Sequence, residues 1–238
     1  MKNCIYIHGL ESGGNSRTAS ILRKEFAGVL NIIEPKIDYT NMQSVVATIK
    51  EAMTTHPACF LIGSSMGGFV ALQFPDTPKI LINPALHPTE IDIVKRHPHL
   101  QSQLPVFLEM EKFVVEREKL NADNGDREDA EFTYGLFGLN DELFSFRAEF
   151  EQNFSYTLMS SNIFTCSDGH RLSEETVRKE LKALIEYYLI ESALFEATYP
   201  YIDMDDTEAW REGGFEPPRK ELFAQLIAEK EKILAKLK

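Results

Sequence analysis

Residues 58–74 read ACFLIGSSMGGFVALQF, and this stretch decides the fold. An apolar run of strand length meets a Gly-x-Ser-x-Gly turn centred on Ser65, and a segment of helical character follows directly. Strand, tight turn and helix in this order are the local context of a nucleophile elbow, which exposes a reactive side chain at the end of a sheet. Gly63 and Gly67 flank the serine, where larger side chains would collide with the strand and the helix. The stretch therefore predicts Ser65 as a nucleophile.

Around this stretch, strand-like apolar runs alternate with segments of helical spacing. The predicted strands are residues 2–8, residues 30–34, the run that begins at residue 58, residues 79–82, residues 132–138 and a run within 155–165. Alternation at ordinary loop lengths is typical of stacked βαβ units. The sequence therefore predicts an α/β fold with a mainly parallel six-stranded sheet, flanked by helices, whose functional residues gather at the carboxyl ends of the strands.

Two segments break this alternation. Residues 85–131 contain prolines, three histidines and an amphipathic stretch at 106–120, and they are predicted to form a helical, lid-like insertion over a site. Residues 198–238 follow the last long helix, and apolar residues from Leu222 to Leu237 predict an amphipathic helix there. We expect one domain at 1–197 and a C-terminal extension at 198–238. The extension helix is expected to pack on the same domain, with a homodimer contact as the alternative.

Composition excludes several classes of partner. A net charge of −12 over 238 residues disfavours nucleic-acid backbones and acidic membrane surfaces, because such a surface repels both. The sequence contains no apolar run of membrane-spanning length and begins with a strand instead of a signal sequence, so a cytoplasmic location is expected. Three cysteines without CxxC spacing indicate reduced, buried thiols. The six histidines lack metal-ligand spacing, so neither a metal nor a cofactor is predicted.

A serine becomes a nucleophile when a base removes its proton and an acid orients that base. In enzymes with such an elbow, the serine, the acid and the histidine follow one another along the chain, each after a core strand. Asp141 follows one predicted strand and His170 follows the next. The order and the strand ends together predict Ser65, His170 and Asp141 as the catalytic residues.

Other residues near these positions are the alternatives. Ser64 is a second hydroxyl at the turn, although it lacks the flanking glycine spacing. Glu142 is the nearest rival acid, and Asp141 itself is suited to capping a helix that starts at Leu143. Asp168 lies too close to His170 in sequence to orient it easily, and His8 is interpreted as a strand-end residue that shapes the following loop.

The oxyanion that forms during acyl transfer requires two hydrogen-bond donors. The main-chain N–H of Met66 directly follows the nucleophile, and the loop after the first strand supplies the second donor in such enzymes. Leu10 is the predicted second donor, since Gly9 lets the main chain approach closely.

Five motifs together resemble those of small bacterial α/β-hydrolases of the YqiA-like esterase type. They are the run from Ile5 to Leu10 with Ser12 and Ser16, the run from Gly63 to Phe69, the run from Ile82 to Ala85 with Pro88, the run from Asn140 to Leu143, and Asp168-Gly169-His170. The resemblance covers roughly residues 3–192 and implies an α/β-hydrolase fold, with Ser65, Asp141 and His170 in the catalytic places. Two departures are Asn140, where the family usually has glycine, and Gly169 between Asp168 and His170.

The resemblance implies a serine hydrolase, a carboxylesterase that cleaves small acyl esters through an acyl-enzyme on Ser65. Cleavage of acyl thioesters by the same three residues is the nearest alternative. A different class of function is a non-catalytic binding protein on a hydrolase scaffold, which would use the insertion and the C-terminal helix to hold a partner. The presence of nucleophile, acid and base together argues against it, because binding alone requires none of them.

Overall fold

The computed structural model describes residues 1–10, 12, 15–57, 59–124, 132–154, 162–198 and 220–237. Its contacts divide the chain into two compact units, Met1–Arg178 and Lys179–Lys238. The first unit contains the predicted sheet, the insertion and every predicted site residue.

The first unit is built on six parallel strands. They are β1 Lys2–Ile7, β2 Leu30–Ile33, β3 Cys59–Ser64, β4 Lys79–Ile82, β5 Thr133–Gly138 and β6 Ile163–Cys166. Their order in the sheet is β2-β1-β3-β4-β5-β6, and each neighbouring pair is parallel. The predicted six-stranded parallel sheet is therefore confirmed. The end of β3, where Ser65 follows, lies between β1 and β4.

Helices connect the strands. They are α1 Arg17–Glu25, α2 Met42–Thr55, α3 Met66–Ala71, α4 Asp92–Arg96, α5 Leu104–Asn124, α6 Arg147–Phe154 and α7 Glu174–Thr176, which continues into a π-helical turn at Val177–Leu181. Side-chain caps explain where two of them begin. The Ser16 hydroxyl accepts a hydrogen bond from the Ala19 N–H at 3.0 Å. The side-chain oxygen of Asn41, Oδ1, accepts one from the Ser44 N–H at 3.0 Å.

The insertion after β4 is helical, as predicted, and it is anchored in the core. Ile91, Val94, Leu100 and Phe107 are buried in one apolar cluster with residues of the sheet and of α3. Phe107 meets Phe69 of α3 edge to face, with the ring centroids 6.2 Å apart. Burying an aliphatic or aromatic side chain contributes about 1.5 to 3 kcal/mol, so these residues hold the insertion against the sheet.

One predicted helix starts at a different place. The sequence predicted a helix that starts at Leu143, whereas α6 spans Arg147–Phe154. The reason lies in Asp141, whose Oδ1 accepts from the N–H groups of Leu143 at 2.9 Å and Phe144 at 3.2 Å. Its carboxylate closes a turn at this point, and the helix begins only after that turn.

The second unit contains α8 Lys182–Thr198 and α9 Lys220–Leu237, which pack against each other. Lys230 of α9 pairs with Glu191 of α8, and its Nζ lies 5.7 Å from the centroid of the Tyr187 ring. The predicted amphipathic helix at the C-terminus is therefore present. Residues 199–219, including the acidic stretch near residue 205, lie outside the described residues, and the domain division after residue 197 stays a prediction.

His87 connects the insertion to α6 through an ion pair. Its Nε2 lies 2.5 Å from Glu149 Oε1. Burial lowers the pKa of His87, but the hydrogen bond and charge of Glu149, together with the charges of Glu111 and Glu90, raise it above the ordinary value of 6.5. The pair therefore fixes the first turn of the insertion most firmly when the imidazole is protonated.

This pair makes the stability of the fold depend on pH. A pKa raised by folding gives a stabilisation that is complete below the unfolded-state value and is lost as pH rises through the folded-state value. We expect His87→Gln to reduce the free energy of unfolding more at about pH 6 than at about pH 9. Urea unfolding of the wild type, His87→Gln, Glu149→Gln and the double variant measures this. The double variant should lose less stability than the sum of the two single losses, because either substitution alone already breaks the pair. A loss that is equal at both pH values would contradict the assignment.

Candidate active site

Ser65 occupies a strained turn between β3 and α3. Its φ of 54° and ψ of −118° lie in a region that residues with a side chain rarely adopt. The turn is held by main-chain hydrogen bonds, since the Ser65 N–H donates to the Ile82 carbonyl at 2.9 Å. A Cβ on Gly67 would lie 2.0 Å from the Ile7 carbonyl oxygen, and one on Gly63 would lie 2.4 Å from the Gly67 oxygen. Strand and helix thus approach closely enough to require the glycines that the sequence places there.

The structure brings Ser65, His170 and Asp141 together. His170 Nε2 lies 3.0 Å from Ser65 Oγ, and His170 Nδ1 lies 2.8 Å from Asp141 Oδ2. The imidazole and carboxylate side chains are only 7% and 3% exposed. Because the carboxylate requires a donor at Nδ1, Nε2 of the neutral ring is left to accept the serine proton. These contacts join the ends of β3, β5 and β6 in one hydrogen-bonded chain.

Asp141 combines the two roles that its sequence position suggested. One carboxylate oxygen, Oδ1, binds the N–H groups of Leu143 and Phe144, and the other, Oδ2, faces the ring of His170. The main-chain contacts fix the carboxylate plane, so that Oδ2 points at the imidazole. Capping the turn and orienting the histidine are therefore functions of different atoms of the same side chain.

Glu142, the alternative acid, binds the main chain of His170 instead of its ring. Its Oε2 accepts from the His170 N–H at 2.9 Å, and this hydrogen bond is the largest cause of the lowered pKa of Glu142. Asp168 accepts from the Ser173 N–H at 2.6 Å. Burial raises the pKa of Asp168, but hydrogen bonds from Thr176 and Ser173 lower it by more. Both carboxylates shape the loop that carries His170.

The loop after β1 lies directly against Ser65. A Cβ on Gly9 would lie 3.1 Å from the Cβ of Ser65. The His8 ring donates from Nδ1 to the Gly9 carbonyl at 2.8 Å, and the Tyr39 hydroxyl donates to the His8 carbonyl. Because the peptide is planar, holding the Gly9 oxygen also fixes the direction of the Leu10 N–H. This geometry agrees with the interpretation of His8 as a residue that shapes the loop.

Leu10, Met66 and Ser65 share a cavity of about 370 Å³, which is within the usual size of a small-molecule site. One wall is apolar and comes from the insertion and the acid loop: Ile91, Ile93, Val94, Leu143 and Phe144. The other wall is polar and comes from the segment before α1 and from its first turn: Ser12, Asn15, Ser16, Arg17 and Thr18. The cavity is thus lined by Ser65 together with both apolar and polar side chains.

The sequence did not indicate Phe144 or Arg17 as wall residues. The ring of Phe144 meets the imidazole of His170 edge to face, with the centroids 4.6 Å apart. Arg17 donates to the Leu172 carbonyl at 2.6 Å, which connects the first turn of α1 to the segment after His170. Both contacts join residues distant in sequence. The available signal was only their position near the carboxyl edge of the sheet, Phe144 in a loop and Arg17 in the first turn of α1.

Within the described ranges, no group of three or more histidine, cysteine, aspartate or glutamate side chains is arranged to hold a metal ion. In the same part of the chain, none of the helices combines the length and apolar composition needed to cross a bilayer.

A family model described as "Uncharacterised protein family (UPF0227)" matches residues 3–156. The chain belongs to that family. It is the YqiA-like family that the motifs resembled, and the matched segment contains Ser65 and Asp141 but ends before His170. No curated protein matches the sequence.

Several solved structures are similar to this chain in fold. A protein from Xanthomonas campestris pv. campestris assigned to the alpha/beta hydrolase superfamily has a TM-score of 0.52 at 19% identity, over 79% of this chain and 99% of its own. NosK from Streptomyces actuosus has a TM-score of 0.53 at 12% identity, with the same coverages of 79% and 99%. A metagenome-derived lipolytic enzyme from the LipS and LipT pair has a TM-score of 0.51 at 13% identity, over 79% of this chain and 91% of its own. The predicted α/β-hydrolase fold is therefore confirmed.

The crowding at Gly67 predicts a large loss of stability on adding one methyl group. We expect Gly67→Ala to lower the free energy of unfolding by about 3 to 5 kcal/mol, because the new Cβ would overlap the main chain of β1. Gly28→Ala is the control: its φ of 80° imposes strain of about 1 to 2 kcal/mol, but nothing lies within 4 Å of the added Cβ. Urea unfolding compares the two variants. Equal losses would show that the elbow has room for a side chain.

Proposed function

We propose that this protein is a serine hydrolase that cleaves small carboxylic esters through an acyl-enzyme on Ser65. The observation that carries the proposal is the unbroken hydrogen-bonded chain from Ser65 Oγ through the His170 ring to Asp141 Oδ2. The position of these three residues also supports the proposal. They lie at the carboxyl edge of a parallel sheet, and Ser65 and His170 line the cavity.

In the proposed reaction, Ser65 Oγ attacks the ester carbonyl while His170 Nε2 accepts the hydroxyl proton. Asp141 keeps the imidazole in the required tautomer and stabilises its positive form. The protonated His170 then gives the proton to the leaving alcohol, and the acyl group remains on Ser65. Water, activated by the same imidazole, releases the acid and restores the hydroxyl.

The tetrahedral intermediate carries a negative oxygen, and the N–H groups of Leu10 and Met66 are the proposed donors to it. One such donor contributes about 2.7 to 4 kcal/mol to lowering the barrier. His8 supports the first donor by holding the Gly9 carbonyl, and α3 supports the second because Met66 is its first residue. Helix N-terminal N–H groups have no partner within the helix, so the Met66 donor is available to the oxyanion.

The apolar wall, formed by Ile91, Val94 and Phe144 among others, is proposed to hold the acyl chain of the substrate. A volume of about 370 Å³ suits small substrates. Thioesters share the attack and the acyl-enzyme with oxygen esters, so the same residues would cleave them as well.

A fluorophosphonate probe tests the nucleophile directly, because it bonds covalently to an activated serine. We expect the wild type to be labelled once and to hydrolyse p-nitrophenyl esters of short acyl chains, with both properties lost in Ser65→Ala. Ser64→Ala is the matched control, since it removes the neighbouring hydroxyl, and it should still be labelled. Mass spectrometry of the labelled peptide identifies the site. A folded wild type that resists the probe, or equal labelling of Ser65→Ala, would refute the proposal.

The assignment of the acid is tested by comparing neighbouring carboxylates. Asp141→Asn places an amide against Nδ1 of His170 and favours the wrong tautomer, so kcat should fall by about 10³ to 10⁴. Glu142→Gln keeps a carbonyl oxygen that can accept from the His170 N–H, and its kcat should fall by less than about tenfold. Steady-state kinetics on the two variants measures the difference. The reverse order would assign the acid to Glu142.

A further inference from the structure

Asn83 lies immediately after β4, between the nucleophile and the strand that leads to the acid. Its φ of 41° is left-handed, a conformation that asparagine tolerates better than most residues with a side chain. Its main-chain N–H donates to the Leu136 carbonyl of β5 at 3.0 Å. The residue is only 3% exposed, so its polar side-chain atoms require partners within the protein.

The side chain of Asn83 has three such partners. Oδ1 accepts from the Gly138 N–H at 2.8 Å, while Nδ2 donates to the His170 carbonyl at 3.0 Å and the Gly169 carbonyl at 3.2 Å. The donor on one side and the two carbonyls on the other leave one consistent orientation of the amide. Gly138 ends β5, three residues before Asp141. One side chain therefore joins the loop of the acid to the loop of the base.

Together with Glu142, Asn83 holds the main chain of His170, the proposed base, in place. The N–H of His170 is bound by Glu142 Oε2 at 2.9 Å, and its carbonyl is bound by Asn83. Both polar groups of the residue's main chain are therefore held by side chains from other strand ends. Because the distance from Nε2 to Ser65 Oγ depends on where this main chain lies, the contacts of Asn83 bear on the proton transfer itself.

We propose that Asn83 is a positioning residue that holds the main chain of His170 in register with Ser65 and Asp141. This inference rests on the proposed serine-hydrolase function, and Asn83 itself touches no reacting atom. The position requires one acceptor and two donors on a short side chain. Aspartate lacks the donors, serine offers only one, and glutamine is longer by a methylene group.

Two variants separate the contacts. Asn83→Asp retains the size and an acceptor for Gly138 but withdraws both donors to the base loop. Asn83→Gly removes all three side-chain contacts and keeps the left-handed backbone without strain. It replaces Asn83→Asp in the test if the buried carboxylate of that variant prevents folding.

Asn162→Asp is the matched control. Asn162 is also 3% exposed, and its Nδ2 donates to the Thr133 carbonyl at 2.8 Å and the Phe154 carbonyl at 2.6 Å. It precedes β6 and so lies at the edge of the sheet opposite Ser65.

Per folded molecule, we expect the Asn83 variants to lower kcat for a p-nitrophenyl ester by about a hundredfold and to leave KM within about twofold. The rate of fluorophosphonate labelling should fall with kcat. In proton NMR, the low-field signal of the His170 Nδ1–H, identified by its loss in His170→Gln, should weaken or move. Asn162→Asp should change none of these per folded molecule.

The proposal is wrong if the Asn83 variants keep the wild-type kcat and the low-field signal, or if Asn162→Asp loses as much kcat per folded molecule. A wild type that hydrolyses no ester and resists labelling would refute the proposed function instead. In that case, the NMR comparison still decides whether Asn83 holds His170, since it requires no turnover.

Discussion

The close contact between Gly67 and the main chain of β1 is the constraint on which the rest of the site depends. A helix that starts within two residues of a strand end can lie against the sheet only if its first turn has no side chain there. With Gly67 in place, α3 begins directly after Ser65, and the serine has a positive φ. Its hydroxyl lies where the loops after β1, β5 and β6 meet. The position of Ser65 is a consequence of packing.

The loops around Ser65 are fixed largely through main-chain groups. Glu142 and Asn83 bind the peptide of His170, and His8 binds the peptide that follows Gly9. Glu142 and Asn83 thus hold the main chain of a different loop, whereas His8 holds the main chain of its own loop. Such contacts leave the side chains that face the cavity free to vary, which is how one scaffold accommodates many substrates.

The parts of the fold that follow local rules could be predicted from the sequence. Apolar runs predicted the strands because each buried strand is itself apolar, and the predicted strand ends placed Ser65, Asp141 and His170 after β3, β5 and β6. The start of α6 was predicted wrongly, because the cap at Asp141 closes a turn without starting a helix, and the two outcomes have the same local signature. Contacts such as that of His87 with Glu149 join residues 62 apart in sequence. They leave no periodic pattern in the sequence, so they could not be predicted from it.

Under the proposed function, the insertion has a consequence for how substrate preference can change. Ile91 and Val94 belong both to the core cluster and to the wall of the cavity, so a substitution that reshapes the pocket at either position also weakens the fold. Ile93 lines the same wall but is 43% exposed. A chain that drifts towards new substrates therefore has an easy route through residue 93 and a difficult one through its neighbours. Within this one short segment, residue 93 can change the cavity wall at little cost in stability, whereas residues 91 and 94 cannot.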